Sequence, residues 1–494
     1  MAILLCYLAL PSLLVSVRDF GAVGDGVTDD FRAINAALAN MSTSGGVLHF
    51  PAPGAYAISK AIRVGGFGIT LRGDGMVPHP SCDYGSSLLA LSTSNSTLVV
   101  FENCRSCVLE QIGLHGANSA AAGSCAEAHT NAAAVLRARS TRRRQRGLID
   151  AAGVISAASA ASAGMTKPTN GAAVVVRRSF QITVSYVWIA NAFAHVALSE
   201  FANTVTMADM QLTNAFGPCA ICVAGALLPP VGLSSADTDQ TRVDILQITR
   251  LTANNGPPHK AGHWPGGNTS TIWLDIGGGV NTVRLDNVGF LNGGTSVRMD
   301  SGSTEPAGIY PGRPLFLFVN DLEIDNPSGN ALELLRGEEV QLSNCYIQGA
   351  GSTDYVDRRA NDSSLGVGLR VEPSFSSEIM VTNSRFFGHA LSAIVLAGGA
   401  HTTISNNVMT ENSIAKSGLA SGIVVHSGVS DFIIQGNHIG TLSTTTSTTA
   451  HGIDVHRGAS DRYVITANTL TGNVKGGLRD LGEGKAKSVV GNVL

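Results

Sequence analysis

Val283-Arg-Leu-Asp-Asn287, Val340-Gln-Leu-Ser-Asn344, Ile379-Met-Val-Thr-Asn383 and Ile404-Ser-Asn-Asn407 are short apolar–polar alternations that each run into an asparagine. Ile434-Gln-Gly-Asn437, Ile465-Thr-Ala-Asn468 and Val489-Val-Gly-Asn492 continue the series. Alternation with period two marks a strand, and asparagine tolerates the left-handed backbone of a sharp turn. Successive asparagines lie 57, 39, 24, 30, 31 and 24 residues apart. The shortest spacing fits one turn of a solenoid built from three strands and three turns. Spacings of 30 and 31 add a loop, and 57 holds two turns, the unseen one near Asn320. A single coil buries only a thin apolar face, so it is stable only when stacked on its neighbours. Stacked asparagine side chains can hydrogen-bond along the axis, which makes them scaffold. The expected fold is all-β, a parallel β-helix.

Composition agrees with a narrow core. The 494 residues include 57 glycines, and only 14% are charged and 5% aromatic. Small and β-branched residues with frequent turn formers suit short strands and tight corners. A net charge of -3 argues against nucleic acid as the main partner, which would require a basic face.

An open terminal coil needs a cover. Thr28-Asp-Asp-Phe-Arg-Ala-Ile-Asn-Ala-Ala-Leu38 suits a capping helix, with Thr28 as N-cap, acidic residues at the start, and Phe31, Ile34 and Leu38 on one apolar face. The organisation expected is residues 18–45 for entry and cap and 46–494 for the helix. Residues 1–17 are uncharged and apolar. They read as a signal peptide or as a buried first strand, and are too short and too broken by Pro11 to predict a membrane span. Sequons at Asn40, Asn95, Asn268 and Asn361 favour a secreted, glycosylated protein. The Cys104–Cys107 and Cys219–Cys222 spacings suit local disulfides or buried thiols better than zinc, because histidine partners are missing nearby.

Val17-Arg-Asp-Phe-Gly-Ala-Val-Gly-Asp-Gly-Val-Thr-Asp-Asp30 resembles the entry motif of the pectate-lyase superfamily. Gly46-Val-Leu-His-Phe-Pro51, Gly54-Ala-Tyr56 and Leu71-Arg-Gly-Asp-Gly75 are similar to the segments that follow it. The resemblance implies a right-handed parallel β-helix and a polysaccharide as partner. That group includes hydrolases, lyases, uronan epimerases and phage tailspikes, so it implies no single reaction. A virion spike would be a homotrimer at the virion surface, and a secreted enzyme of this group a monomer. The resemblance also admits a calcium ion, though no spacing marks its ligands. Residues 118–170 interrupt the repeat with an Ala/Ser-rich stretch carrying Arg137, Arg139, Arg142, Arg143, Arg144 and Arg146. Such a stretch reads as a solvated insertion or as a grip on an acidic glycan or anionic surface.

The motif set of polygalacturonase-type hydrolases, with Asn-x-Asp, Asp-Asp, Gly-His-Gly and Arg-x-Lys, is missing at appropriate places; Gly262-His263-Trp264 is the nearest approach to Gly-His-Gly. Asp209, Asp237, Asp239 and Asp275 remain as unassigned carboxylates for a hydrolase. Alternation points elsewhere. In Gly422-Ile-Val-Val-His426, Ile423 and Val425 face inward and Val424 and His426 outward. Gly452-Ile-Asp-Val-His456 repeats this thirty residues later, with Asp454 and His456 outward. Coils stack about 4.8 Å apart, so His426 and His456 are expected to be neighbours. The same alignment turns Arg370, Glu372, Glu333 and Arg479 outward.

Acid, imidazole and guanidinium along one face suit removal of the C5 proton beside a uronate carboxylate. His456, Asp454, His426, Arg370 and Glu372 are the candidate catalytic set, with Glu333 and Arg479 as substrate contacts. His451-Gly-Ile-Asp-Val-His456 is similar to the Tyr-Gly-Phe-Asp-Pro-His stretch of alginate C5-epimerases, with His451 and Val455 where that family has Tyr and Pro. The expected function is lyase or C5-epimerase on an acidic polysaccharide. A non-catalytic glycan-binding or structural β-helix, and a glycoside hydrolase, are the other readings.

Overall fold

The computed structural model describes residues 13–41, 45–77, 84–91, 95–116, 171–224, 243–255, 271–300, 315–351, 365–441 and 448–494. Their strands join in one continuous parallel ladder wound into coils. One coil comprises Leu332–Leu334, Glu339–Ser343 and Tyr346–Gln348. The next comprises Leu369–Val371, Glu378–Thr382 and Arg385–Phe387. Each strand pairs with its counterpart one coil on, which makes three sheets, called here first, second and third in that order.

The bore is aliphatic. Leu332, Leu369, Ile394, Ile423 and Ile453 stand in register along the first sheet, and all are fully buried. Burying each such side chain is worth roughly 1.5–3 kcal/mol. The coil expected near Asn320 is present: Asn320 lies between Asp286 and Ser343 in the second sheet.

The asparagine series divides into two columns one residue apart. Asn287, Asn344, Asn383 and Asn406 occupy the corner between the second and third sheets with φ of 53°, 56°, 52° and 58°. Gly436, Ala467 and Gly491 continue that left-handed column. The hydrogen-bonded ladder is the next position along. Cys345 N–H donates to Ser384 Oγ (3.0 Å), and Ser384 N–H to Asn407 Oδ1 (2.8 Å). Asn407, Asn437 and Asn468 each donate their N–H to the Oδ1 of Asn437, Asn468 and Asn492 in turn, at 3.0, 3.0 and 3.1 Å. The aligned sequence segments therefore merged a turn position with a buried ladder position. A one-residue shift along a strand turns a side chain from one face to the other.

The N-terminal helix runs Phe31–Met41 and buries Ile34, Ala37, Leu38 and Met41, while Phe31 packs from the edge. Its cap differs from the expectation. Asp30, not Thr28, starts the helix: its carbonyl accepts from Ile34 N–H at 3.0 Å. The Asp30 carboxylate also accepts from Val23 and Gly24 N–H at 2.6 and 3.0 Å, tying the preceding loop to the helix start. Thr28 instead donates its hydroxyl to Asp25 at 2.7 Å, within the strand Asp25–Asp29. Leu14–Ser16 pairs with Val47–His49 as a strand, while residues 1–12 and the 118–170 stretch lie outside the described residues. Cys219 and Cys222 form a disulfide, and Cys104 and Cys107 are buried thiols.

Candidate functional site

The outer face of the first sheet carries one registered column: Asp275, Arg298, Glu333, Arg370, Val395, Val424, Asp454 and Arg479. Alternation places Glu372, Ala397, His426 and His456 two residues further along the same face. All seven residues singled out from sequence thus share this face.

The two columns form a floor with charged edges. Val367, Leu391 and Val395 make a small apolar cluster outside the bore, with Ala420 and Val424 packed against it. The segment around Ser413 walls it on one side: Ser413 N–H donates to Leu391 O at 2.7 Å, and Ala415 N–H to Ala390 O at 3.1 Å. On one edge Arg370 Nε donates to Glu372 Oε1. On the other, the His426 and His456 rings lie 5.0 Å apart, centre to centre. Ala397 has only a methyl group in the column position between Glu372 and His426.

Asp454 is the most enclosed charge, with its side chain 6% exposed. Arg479 holds it through two bonds, Nε to Oδ1 at 2.7 Å and Nη2 to Oδ2 at 2.5 Å. Ser421 Oγ donates to it at 3.3 Å, and His456 Nε2 stands 3.9 Å away. Burial pushes the His426 pKa below its usual value; His456 and Arg370 add to this, and Glu372 opposes it. His426 is therefore neutral at neutral pH and able to accept a proton. Burial also lowers His451, with Arg479 and Lys475 adding to the effect and Asp454 opposing it.

The other sequence candidates are separate from this floor. Glu333 accepts from Asn330 Nδ2 at 2.7 Å. Arg298 grips Asp275 at 3.0 and 2.9 Å further along the same face. Asp209 lies in the corner between the second and third sheets, bound by Arg250 through two bonds of 2.7 Å. Asp237 and Asp239 lie outside the described residues. Sequence reasoning did not nominate Ser421, His451 or the valine floor. A signal existed: Ser421-Gly-Ile-Val-Val and His451-Gly-Ile-Asp-Val are the same segment one coil apart, so their first residues stack.

The carboxylates of this face do not make a calcium cage. Asp275, Glu372 and Asp454 each take an arginine, and no three acidic, histidine or cysteine side chains converge among the described residues. No helix among the described residues is long and apolar enough to cross a membrane.

Residues 14–103 match a family model described as rhamnogalacturonase A/epimerase, pectate lyase-like, and residues 276–494 match the right-handed β-helix region. A comparison with curated proteins gives no match. Among solved structures, the chain is similar to tailspike protein 3 of bacteriophage CBA120, with a TM-score of 0.57 at 12% identity over 97% of this chain and 61% of that one. It is also similar to the N-terminal fragment of bacteriophage Phi29 gene product 12, with a TM-score of 0.57 at 11% identity over 97% of this chain and 71% of that one. The A-module of an Azotobacter vinelandii mannuronan C-5 epimerase aligns at 14% identity over 97% of this chain and 98% of that one, with a TM-score of 0.43. At such identities the likeness is one of fold. With the family models at both ends of the chain and a parallel ladder running between them, the chain belongs to the right-handed β-helix proteins of the pectate-lyase-like superfamily.

Proposed function

We propose that the protein acts outside the cell on an acidic polysaccharide, as a lyase or C5-epimerase of uronate units. The observation that carries this reading is the neutral His426 beside His456, facing the Arg370–Glu372 pair across an apolar floor. A sugar ring lies on valine and alanine, and an arginine meets its carboxylate. Arg370 is the guanidinium of this pair, positioned by Glu372; Arg479, positioned by Asp454, and Glu333 extend the face to neighbouring units. Charge developing at C5 spreads into the carboxylate, which the guanidinium neutralises. His426 takes the C5 proton. In elimination the C–H pair forms the C4=C5 bond, the C4–O bond breaks, and the leaving oxygen takes a proton from His456. In epimerisation C5 regains a proton from water on its opposite face, and His426 releases its own to solvent.

The second reading, a glycan-binding spike, is favoured by the pairing of Glu372 and Asp454 with arginines, which leaves neither carboxylate as a base. The same pairing speaks against a glycoside hydrolase, which needs two available carboxyl groups. The monomer and homotrimer go with the enzyme and the spike respectively.

Absorbance near 235 nm with polygalacturonate and alginate tests the lyase. A rise that His456→Ala abolishes supports elimination at this face. A flat trace with C5 hydrogen exchange by NMR leaves the epimerase. Neither signal leaves the binding protein.

A further inference from the structure

Two aromatic rings and a guanidinium meet on the third sheet, away from the histidine face. Tyr346 and Arg385 are registered partners on adjacent coils. Phe387 follows Arg385 by two residues, so all three side chains share the outer surface. The guanidinium carbon of Arg385 lies 5.6 Å from the centre of the Tyr346 ring and 5.0 Å from that of Phe387. Such ring faces attract and orient a cation.

Arg105 and Arg284 also lie over a phenylalanine ring without an ion pair among the described residues; what sets Arg385 apart from them is its second ring and its buried, unpartnered Nε. Arg250, Arg298, Arg462 and Arg479 are tied to Asp209, Asp275, Asp431 and Asp454. Arg385 has no carboxylate within ion-pair distance among the described residues, and its buried Nε has no hydrogen-bond partner. A stranded donor is a cost to the fold. A guanidinium fixed by rings keeps its attraction for an anion uncancelled, and its planar fork matches a carboxylate. The surroundings are preorganised: Tyr346 OH donates to Gln348 Oε1 at 2.5 Å, and Gln348 Nε2 to Asp325 Oδ1 at 2.8 Å.

We propose that Tyr346, Arg385 and Phe387 form a second saccharide site, which takes a uronate unit with its C–H face against a ring and its carboxylate on Arg385. The inference rests on the reading that the ligand is an acidic polysaccharide, and it uses a different sheet from the proposed reaction.

The test is calorimetric titration of oligogalacturonate and oligomannuronate into the full chain carrying His426→Ala and His456→Ala. Binding is expected to persist in this background and to weaken with salt. Arg385→Gln should lower affinity about tenfold or more, as loss of a charge-assisted hydrogen bond implies. Phe387→Leu should weaken it with the charge intact, and Arg385→Lys should retain part of it. Neutral dextran oligomers should not bind. Melting temperatures of the variants, compared with their parent, show that the fold is kept. Equal uronate affinity in Arg385→Gln and its parent, or no uronate binding by the parent at millimolar concentration, overturns the proposal. The 235 nm assay on the unsubstituted protein reads the histidine face separately, so either reading can fail while the other stands.

Discussion

Replacing Asn437 by alanine removes one rung from the ladder that holds the coils in register, and the structure sets the size of the loss. Asn437 is 1% exposed. Its Oδ1 accepts from both N–H and Nδ2 of Asn407 at 3.0 Å. Its Nδ2 donates to Ile404 O at 3.0 Å and to Asn468 Oδ1 at 2.9 Å. Alanine leaves the Asn407 N–H buried without an acceptor, a penalty of about 1–3 kcal/mol. The other three bonds each contribute about 0.5–1.5 kcal/mol net. Their partners keep something: Asn407 Nδ2 still reaches Val381 O, and Asn468 Oδ1 still accepts from the residue 437 N–H. The expected cost is about 3–5 kcal/mol. Asn492 holds the same ladder position in the last coil, where it is part exposed and water can replace the lost partners. Its alanine variant should cost about 1–2 kcal/mol. A solenoid can open coil by coil, so the suitable assay is native-state hydrogen exchange of the Asn407 and Asn468 amides, with urea unfolding alongside. Equal losses for the two variants, or a loss under about 1 kcal/mol at Asn437, would refute the claim that burial makes the ladder cohesive.

Three further outcomes follow from individual residues. Ala467 sits at φ 55° in a column where Gly436 and Gly491 are its neighbours; Ala467→Gly should raise stability by about 0.5–1 kcal/mol in urea unfolding, because alanine pays for the left-handed backbone. His195 is fully buried, and burial holds its pKa at about 4 against 6.5 when unfolded. Its contribution is therefore complete above pH 6.5 and lost as pH falls toward 4, a change of about 3 kcal/mol at 1.36 kcal/mol per unit; pH-dependent unfolding of His195→Phe should show a flatter slope over that window. If His426 is the base, the acid limb of the 235 nm rate should fall below pH 6.5, because its pKa is depressed; a limb above 6.5 would assign the base to another group.

Much of the fold was readable because its signals are local and repeated. Alternation in Ile423-Val-Val and Ile453-Asp-Val gives the direction of every side chain in the two strands, and stacking at fixed spacing makes His426 and His456 neighbours. The same logic failed by one residue in the asparagine series. Asn383 and Asn407 look alike in sequence, yet one takes a left-handed corner and the other points into the stack. Composition cannot separate those two uses, because asparagine is favoured in both. Only the partner across the coil decides, as where Ser384 meets Asn407.

The candidate site shows a second limit of the same kind. Strand alternation reports which side chains share a face, and it placed Asp454, Arg479, Arg370 and Glu372 there together. It carries no information on which charges consume one another. Arg479 spends two donors on Asp454, and Arg370 spends Nε on Glu372. In the proposed reaction the acids are therefore positioning groups, and proton transfer falls to the imidazoles. Arg385 is the converse case. Sequence alternation sets it on an outer face like the other arginines, and only the two rings around it and its unpartnered Nε, seen in three dimensions, single it out as a candidate. In a solenoid, then, sequence period fixes address, while function depends on how charges are paired between coils whose spacing in the chain varies from 22 to 75 residues.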